Sequence, residues 1–394
     1  MRATTLRTVA PLALFSGATA SASPSPGEPP WEWASSTSSR REGADDAPSD
    51  REAELQRHCG AAEGGLRAVA QRLVERKILG LPYLDLDGLT FAQRVAGEPH
   101  VWPRAWIVSA RALDHDATLR KLDAWRVSFQ DIGERRCGVA TGYAPDGSEV
   151  VAAIALDALA DLAPLPTRVR SGTWQTVDAA LLVPASGAEV LVLGPTGEPH
   201  AVPTSFDGGR VRARFATDRL GAFTVQVVAD VANGPRPVLE AKVFADTDPP
   251  RSTPNLAAPG EEAGAGASDR AAALAGMVDA MRTFERLPRL ARDTRLDAIA
   301  RAHALRMKEA QTVGHDVGDG DPAQRLTDAG LHAKEMGENV AHAQSVVLAH
   351  RALYASVSHR ENLLRADFRN MGVAVLDGPD GSVWVAEVFS TPLR

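Results

Sequence analysis

Cysteine is nearly missing from this 394-residue chain: Cys59 and Cys137 are the only two. Two isolated cysteines exclude a disulfide-dense mini-fold and a four-cysteine zinc site. Aromatic residues are scarce, at 5%. Basic residues do not exceed acidic ones; 43 Lys and Arg against 50 Asp and Glu leave a formal charge of −7. That balance makes no general case for nucleic acid as a partner. No run of about 18 apolar residues occurs, so no segment reads as a transmembrane helix. What is present is ordinary for globular protein, 44% hydrophobic and 24% charged, which rules out a wholly disordered or collagen-like chain.

The first residues carry an export pattern. Arg2 and Arg7 supply positive charge, Thr8 to Ala20 is a short apolar stretch, and Ala18-Thr19-Ala20 and Ser21-Ala22-Ser23 are small-residue cleavage sites. Residues 1–23 are expected to be a signal peptide, and the protein to be secreted, periplasmic or at the cell surface. Export implies an oxidising compartment, in which Cys59 and Cys137 are expected to pair.

Two stretches read as linkers. Residues 24–50 hold Pro24, Pro26, Pro29, Pro30 and many serines; residues 246–268 hold Pro249, Pro250, Pro254, Pro259 and a Gly/Ala run. Such compositions bury little apolar surface and are expected to be extended or disordered. They leave units at 51–162, 163–245 and 269–394. In the first, Leu66, Val69, Ala70, Leu73 and Val74 share one helical face. In the second, short runs such as Val211 to Phe215 alternate apolar and polar residues, and Asp207-Gly208 and Pro195-Thr196-Gly197 mark turns. This rhythm predicts a small β-sandwich without a catalytic constellation. In the third, Asp269 is placed to cap a helix over Arg270 to Phe284, and further helices follow at Leu296 to Met307 and Ser345 to Tyr354. Val373 to Val375 and Val383 to Phe389 then form a terminal hairpin, giving an α+β layered domain.

The first unit echoes the last. Gly138 to Ala152 matches Gly372 to Ala386 at 9 of 15 positions, without a gap, at an offset of 234 residues. Ala92-Gln93-Arg94 similarly matches Ala323-Gln324-Arg325. Residues of about 55–160 therefore read as a repeat of the terminal domain.

The chemistry-bearing residues lie in the terminal block. Gly314-His315 follows the helix holding His303 and Met307. Gly337-Glu338-Asn339-Val340-Ala341 comes next, then Ser358-His359-Arg360-Glu361-Asn362-Leu363-Leu364, then Phe368, Met371 and the Gly372 hairpin. In order and spacing these motifs resemble the CAP superfamily, the cysteine-rich secretory protein, antigen 5 and pathogenesis-related 1 group, in its compact bacterial SCP-like branch. The resemblance covers residues 269–394. It implies an α-β-α sandwich, and a cleft lined by His315, Glu338 and His359 in which several family members hold a divalent metal. It also makes residues 51–162 a degenerate CAP-like copy: at the 234-residue offset, His315, Glu338 and His359 fall on Leu81, Arg104 and Trp125.

Two imidazoles and a carboxylate suit zinc, with His315 and His359 as ligands. Such an ion supports hydrolysis by lowering the pKa of water, with Glu338 as candidate base or as an outer partner of a ligand. The alternative for Glu338 is to cap a helix beginning near His342. Fuller family members carry a second glutamate between the last two motifs, yet no Asp or Glu stands between Asn339 and Arg360, and Leu353 stands where many members have tryptophan. Asp316, Asp319 and Glu387 are the remaining carboxylates that folding can bring in. His303 reads as a structural histidine; His332, His342 and His350 as surface residues; Arg360 and Asn362 as loop ties; Trp384 as packing. The expected function is binding of an envelope component, lipid or protein ligand at the cell surface. The alternative is a metal-dependent, peptidase-like hydrolase using the same cleft.

Overall fold

The computed structural model describes residues 7–8, 31–38, 48–127, 129, 132–231, 234–252, 257–265, 267 and 269–393. Of the expected signal peptide only Arg7–Thr8, strand β1, is among them; the remainder and its cleavage sites lie outside the described residues.

The N-terminal unit opens with α1 (Asp50–Cys59), started by a capping box between Ser49 and Glu52. Then come β2 (Ala61–Ala62), α2 (Gly64–Ile78), α3 (Leu86–Val95), β3 (Arg104–Ala110), α4 (His115–Arg126), β4 (Glu134–Tyr143) and β5 (Glu149–Ala158). Helix α2 buries the apolar stripe read from its spacing. The sheet order is β2-β4-β5-β3. Alternation along β4 and β5 feeds two cores: Ala140, Ala152 and Ile154 meet α2 and α3, while Val139, Val151 and Ala153 meet α1 and α4. Cys59 and Cys137 are disulfide-bonded with their Cα atoms 5.9 Å apart, joining the end of α1 to β4.

The middle unit runs β6 (Ala160–Leu162), β7 (Arg168–Val169), β8 (Thr173–Leu181), β9 (Ala188–Leu193), β10 (His200–Val202), β11 (Thr204–Asp207), β12 (Arg210–Thr217), β13 (Gly221–Val231) and β14 (Gly234–Ala245). Two sheets, β10-β9-β13-β14-β7 and β11-β12-β8-β6, share one core that includes Val177, Val192, Phe215, Val225 and Val243.

In the C-terminal unit a short 3-10 turn (Glu261–Gly264) precedes α5 (Arg270–Phe284), whose first amides are capped by Asp269. Next are β15 (Ala291–Arg292), α6 (Thr294–Ala310), α7 (Pro322–Asp328), β16 (Ala333–Ala343), α8 (Val346–Ala355), α9 (Val357–Leu364), β17 (Asn370–Asp377) and β18 (Val383–Pro392). The sheet order is β1-β16-β18-β17-β15. Helices α5, α8 and α9 cover one face around Leu274, Leu353, Leu363 and Phe389; α6 and α7 cover the other around Ile299, Met307, Val340 and Trp384. This is α-β-α layering.

The first and last sheets share their connectivity. In each, a two-residue strand pairs in parallel with the first hairpin strand, and the second hairpin strand pairs antiparallel with the strand between helices. Gly138 and Gly372 also meet equivalent obstacles. A Cβ on Gly138 would strike the backbone of Leu66 and Arg67 at the start of α2; one on Gly372 would strike Leu296 and Asp297 at the start of α6.

Both expected linkers are partly ordered, which corrects the reading from composition. Trp31 and Trp33 set their rings edge-on to Phe91, and Ser36 bridges to Leu165. In the second, Ala258 is buried and Glu261 pairs with Arg351 of α8. A few anchoring side chains outweigh a flexible composition here. Among the described residues no helix is long and apolar enough to cross a membrane.

Candidate functional site

Glu338 sits mid-way along β16, fully buried, opposite Val388 of β18. Its motif is therefore strand, and the helix-capping alternative is overturned: α8 starts at Val346 and is capped by Ser345. Glu338 Oε1 accepts from His315 Nδ1 at 2.8 Å, and Oε2 accepts from Arg325 Nη2 at 2.6 Å. His303 Nε2 lies 3.7 Å from Oε1. Burial alone would raise the Glu338 carboxyl. The His315 hydrogen bond and the charges of His303, Arg325 and His315 outweigh it and pull the group down to about 2.

His315 lies in the loop between α6 and α7. That loop is tied at three points: His303 Nε2 donates to the Gly314 carbonyl at 2.8 Å, Arg325 Nη1 donates to the His315 carbonyl at 2.8 Å, and Arg325 also holds the Gly320 carbonyl. His303 Nδ1 is 2.8 Å from Asp319 Oδ2, so both ring nitrogens of this buried residue are used. Its structural role is as read from the sequence. The support given by Arg325 was missed; its only signal was the Ala-Gln-Arg match to the first unit.

His359 is carried by α9, on the other side of the sheet, and is also buried. Its Nδ1 is 2.7 Å from Ser356 Oγ. Burial, with a smaller contribution from the His315 charge, lowers it to about 3, so the ring is neutral at physiological pH. Glu338, next to His315, and Asn339, next to His359, are consecutive residues of β16. The Nε2 atom of each histidine is buried and has no hydrogen-bond partner. Asn339 Nδ2 donates to the His359 carbonyl at 3.2 Å, and Asn362 Nδ2 donates to the Glu338 carbonyl at 3.1 Å and to Asn339 Oδ1 at 3.0 Å. Asn362 is thus a tie, as expected.

The three candidate extra carboxylates do not complete a larger ligand set. Asp319 is taken by His303, and Asp316 accepts from the Gly318 amide. Glu387 pairs in register with Asn339, on the opposite face of the sheet from Glu338. Its Oε2 accepts from Asn339 Nδ2 at 3.0 Å, its Oε1 is buried without a partner, and burial pushes it up to about 7. Among the described residues no group of three or more His, Cys, Asp or Glu side chains could together hold a metal ion.

Among the other histidines, His332 is exposed as expected, and His342 stacks on the buried Trp384 with ring centres 4.1 Å apart. His350 is a correction: it is fully buried, its Nε2 donating to the Pro259 carbonyl at 2.9 Å. Strand pairing also adjusts the offset in the first unit. Ala105, opposite Ile154, stands where Glu338 stands opposite Val388; Arg104 falls one place away. Trp125 stacks on Trp106, which occupies the register position of Asn339.

Residues 276–389 match the family model of CAP, the cysteine-rich secretory protein family. The C-terminal unit is a CAP domain. Among solved structures, an outer surface protein from Borrelia burgdorferi is similar at 21% identity and a TM-score of 0.30, over 32% of this chain and 95% of its own. An extracellular SCP-domain protein from Bacillus anthracis shares 17% identity over 59% of this chain and 86% of its own, with a TM-score of 0.29. A cysteine-rich secretory protein from Staphylococcus aureus shares 13% over 59% and 83%, with a TM-score of 0.27. No curated protein sequence matches the chain.

Proposed function

We propose that this is an exported, modular CAP protein that binds a ligand or envelope component through a cleft lined by His315, Glu338 and His359, and that the cleft takes a divalent metal of modest affinity. One observation carries the reading: His315 and His359 each have Nδ1 engaged and a buried Nε2 without a partner. An imidazole oriented through one nitrogen offers the other to a metal. The donor chemistry suits zinc, with His315 and His359 as the holding residues. A bound ion there would act as a Lewis acid towards a ligand oxygen.

Binding is favoured over turnover because Glu338, the candidate base, is fully engaged. Both Glu338 oxygens are occupied and its carboxyl is held near 2, so it orients His315 and is a poor proton acceptor at neutral pH. The hydrolase reading needs a base other than Glu338.

In the same reading, residues 51–162 are a degenerate CAP-like domain and 163–245 a β-sandwich, between a signal peptide at 1–23 and the CAP domain at 269–394. Shared sheet connectivity and the paired close approaches at Gly138 and Gly372 support the repeat. Calorimetric titration of zinc into the full chain tests the metal. Binding that is lost in His315→Ala and His359→Ala is expected; equal binding by all three proteins refutes the assignment.

A further inference from the structure

Helix α9, which carries His359, leans on the middle unit. Val357, its first residue, is fully buried in a cluster with Leu191 and Leu193 of β9 and Val228 of β13. Those three lie outside the middle unit's own core, which takes the alternate residues Val190, Val192, Val225 and Val227. They therefore point off the sheet towards the CAP domain. Arg360, three residues on, donates from Nη2 to the carbonyl of Gly197 in the turn after β9, at 2.9 Å. The same nitrogen is 3.3 Å from Glu285 Oε1, and the guanidinium lies 3.9 Å from the centre of the Tyr354 ring. At the far end, Arg282 donates to the Leu363 and Arg365 carbonyls at 2.8 and 3.2 Å, and feels the charge of Glu198 from the middle unit.

An eight-residue helix has little stability of its own, so what it rests on sets its position. Four of those supports are groups of the middle unit. We propose that the middle unit is a working part of the CAP cleft: β9, β13 and the Gly197 carbonyl clamp α9, with Val357 and Arg360 as the positioning residues that keep His359 buried against β16. The significance of the clamp for ligand binding rests on the function proposed above; its existence does not.

Removing the clamp should let α9 shift and water reach the ring. The titratable groups around His359 are His315, Glu338 beyond it, Glu387 through Asn339, and Arg360 with Glu285 on the outer side. The test follows histidine ring protons by NMR in the full chain labelled at histidine, with His359→Gln assigning the signal. At fixed pH 7 the wild-type His359 signal should be sharp and distinct from that of a solvated imidazole. In Leu193→Ser/Val228→Ser, and independently in Arg360→Ala, it should shift towards the solvated position and broaden. Trp174→Ala, on the exposed face of the other sheet, should leave it unmoved. A His359 signal that keeps its wild-type shift in both clamp variants, or that moves equally in the Trp174 control, overturns the proposal. Zinc affinity is read in parallel and should drop about tenfold or more in the clamp variants. If the wild type binds no zinc, the metal reading fails while the NMR arm still decides the clamp.

Discussion

His315 Nδ1 lies 2.8 Å from Glu338 Oε1, and this one bond ties the loop after α6 to strand β16. It fixes the ring through Nδ1, leaves Nε2 buried without a partner, and occupies one oxygen of the carboxylate. Arg325 holds the other oxygen, so the buried charge is matched from both sides.

Breaking that pair should be costly. Glu338→Ala leaves Arg325 buried without its partner, and loss of one member of a buried pair costs about 3–5 kcal/mol. Chemical denaturation should show a loss of this size, and His315 should lose its orientation, weakening zinc by about 10–100-fold. A loss under about 1 kcal/mol, the range of a surface pair, would contradict the burial argument.

Acid should act through Glu338. Its folded pKa, about 2, lies below the ordinary 4.5, so its contribution is complete above 4.5 and fades as pH falls towards 2. Glu387 has the opposite sign. Its folded pKa of about 7 lies above 4.5, so it subtracts stability as pH rises from 4.5 to 7. Glu63, also raised to about 7 by burial and the nearby Glu98, acts the same way. Glu387→Gln should therefore lose less stability than wild type between pH 5 and 7.5, while retaining the Glu63 part. Equal losses measured by urea denaturation would count against the burial assigned to Glu387.

The Cys59–Cys137 bond closes a loop of 78 residues' separation, for which the chain-entropy model gives about 4 kcal/mol. Cys59→Ser/Cys137→Ser should destabilise the first unit by that order and leave zinc binding at His315 and His359 unchanged. Thiol titration of the denatured, unreduced wild type should find no free thiol; two would refute the pairing.

Gly138→Ala and Gly372→Ala test the repeat. Each methyl would meet the backbone at the start of a helix, where only a shift of the whole element relieves the clash. Both should destabilise, by about 1–3 kcal/mol or more. Gly147→Ala, in open space at a hairpin turn but at φ 80°, is the comparison for strain without crowding. If either helix-facing variant is neutral, the close approach is not shared by the two units.

Much of this was legible locally. The stripe at Leu66 to Val74 gave α2, Asp269 marked the start of α5, and alternation at Val211 to Phe215 gave β12. Glu338 was less so. Its motif sits near a helix start, and only pairing with β18 made it a buried strand residue. Strand β14 went unread, with Pro235 and Pro237 breaking its pattern. His350 looked like one more polar helix residue until the ordered segment around Pro259 covered it.

The sequence by itself determined the motifs, the likeness of the two hairpins and the choice of His315, Glu338 and His359 as candidates, because periodicity, turn chemistry and spacing are properties of neighbours along the chain. Only the tertiary structure decided what those residues are. It took Arg325 from one helix, His303 from another and Glu338 from a strand to hold one carboxylate ionised. It took burial to keep His359 neutral, and the middle unit to seat the helix beneath it. Charge state, tautomer and burial depend on groups tens or hundreds of residues apart, and no local pattern records them.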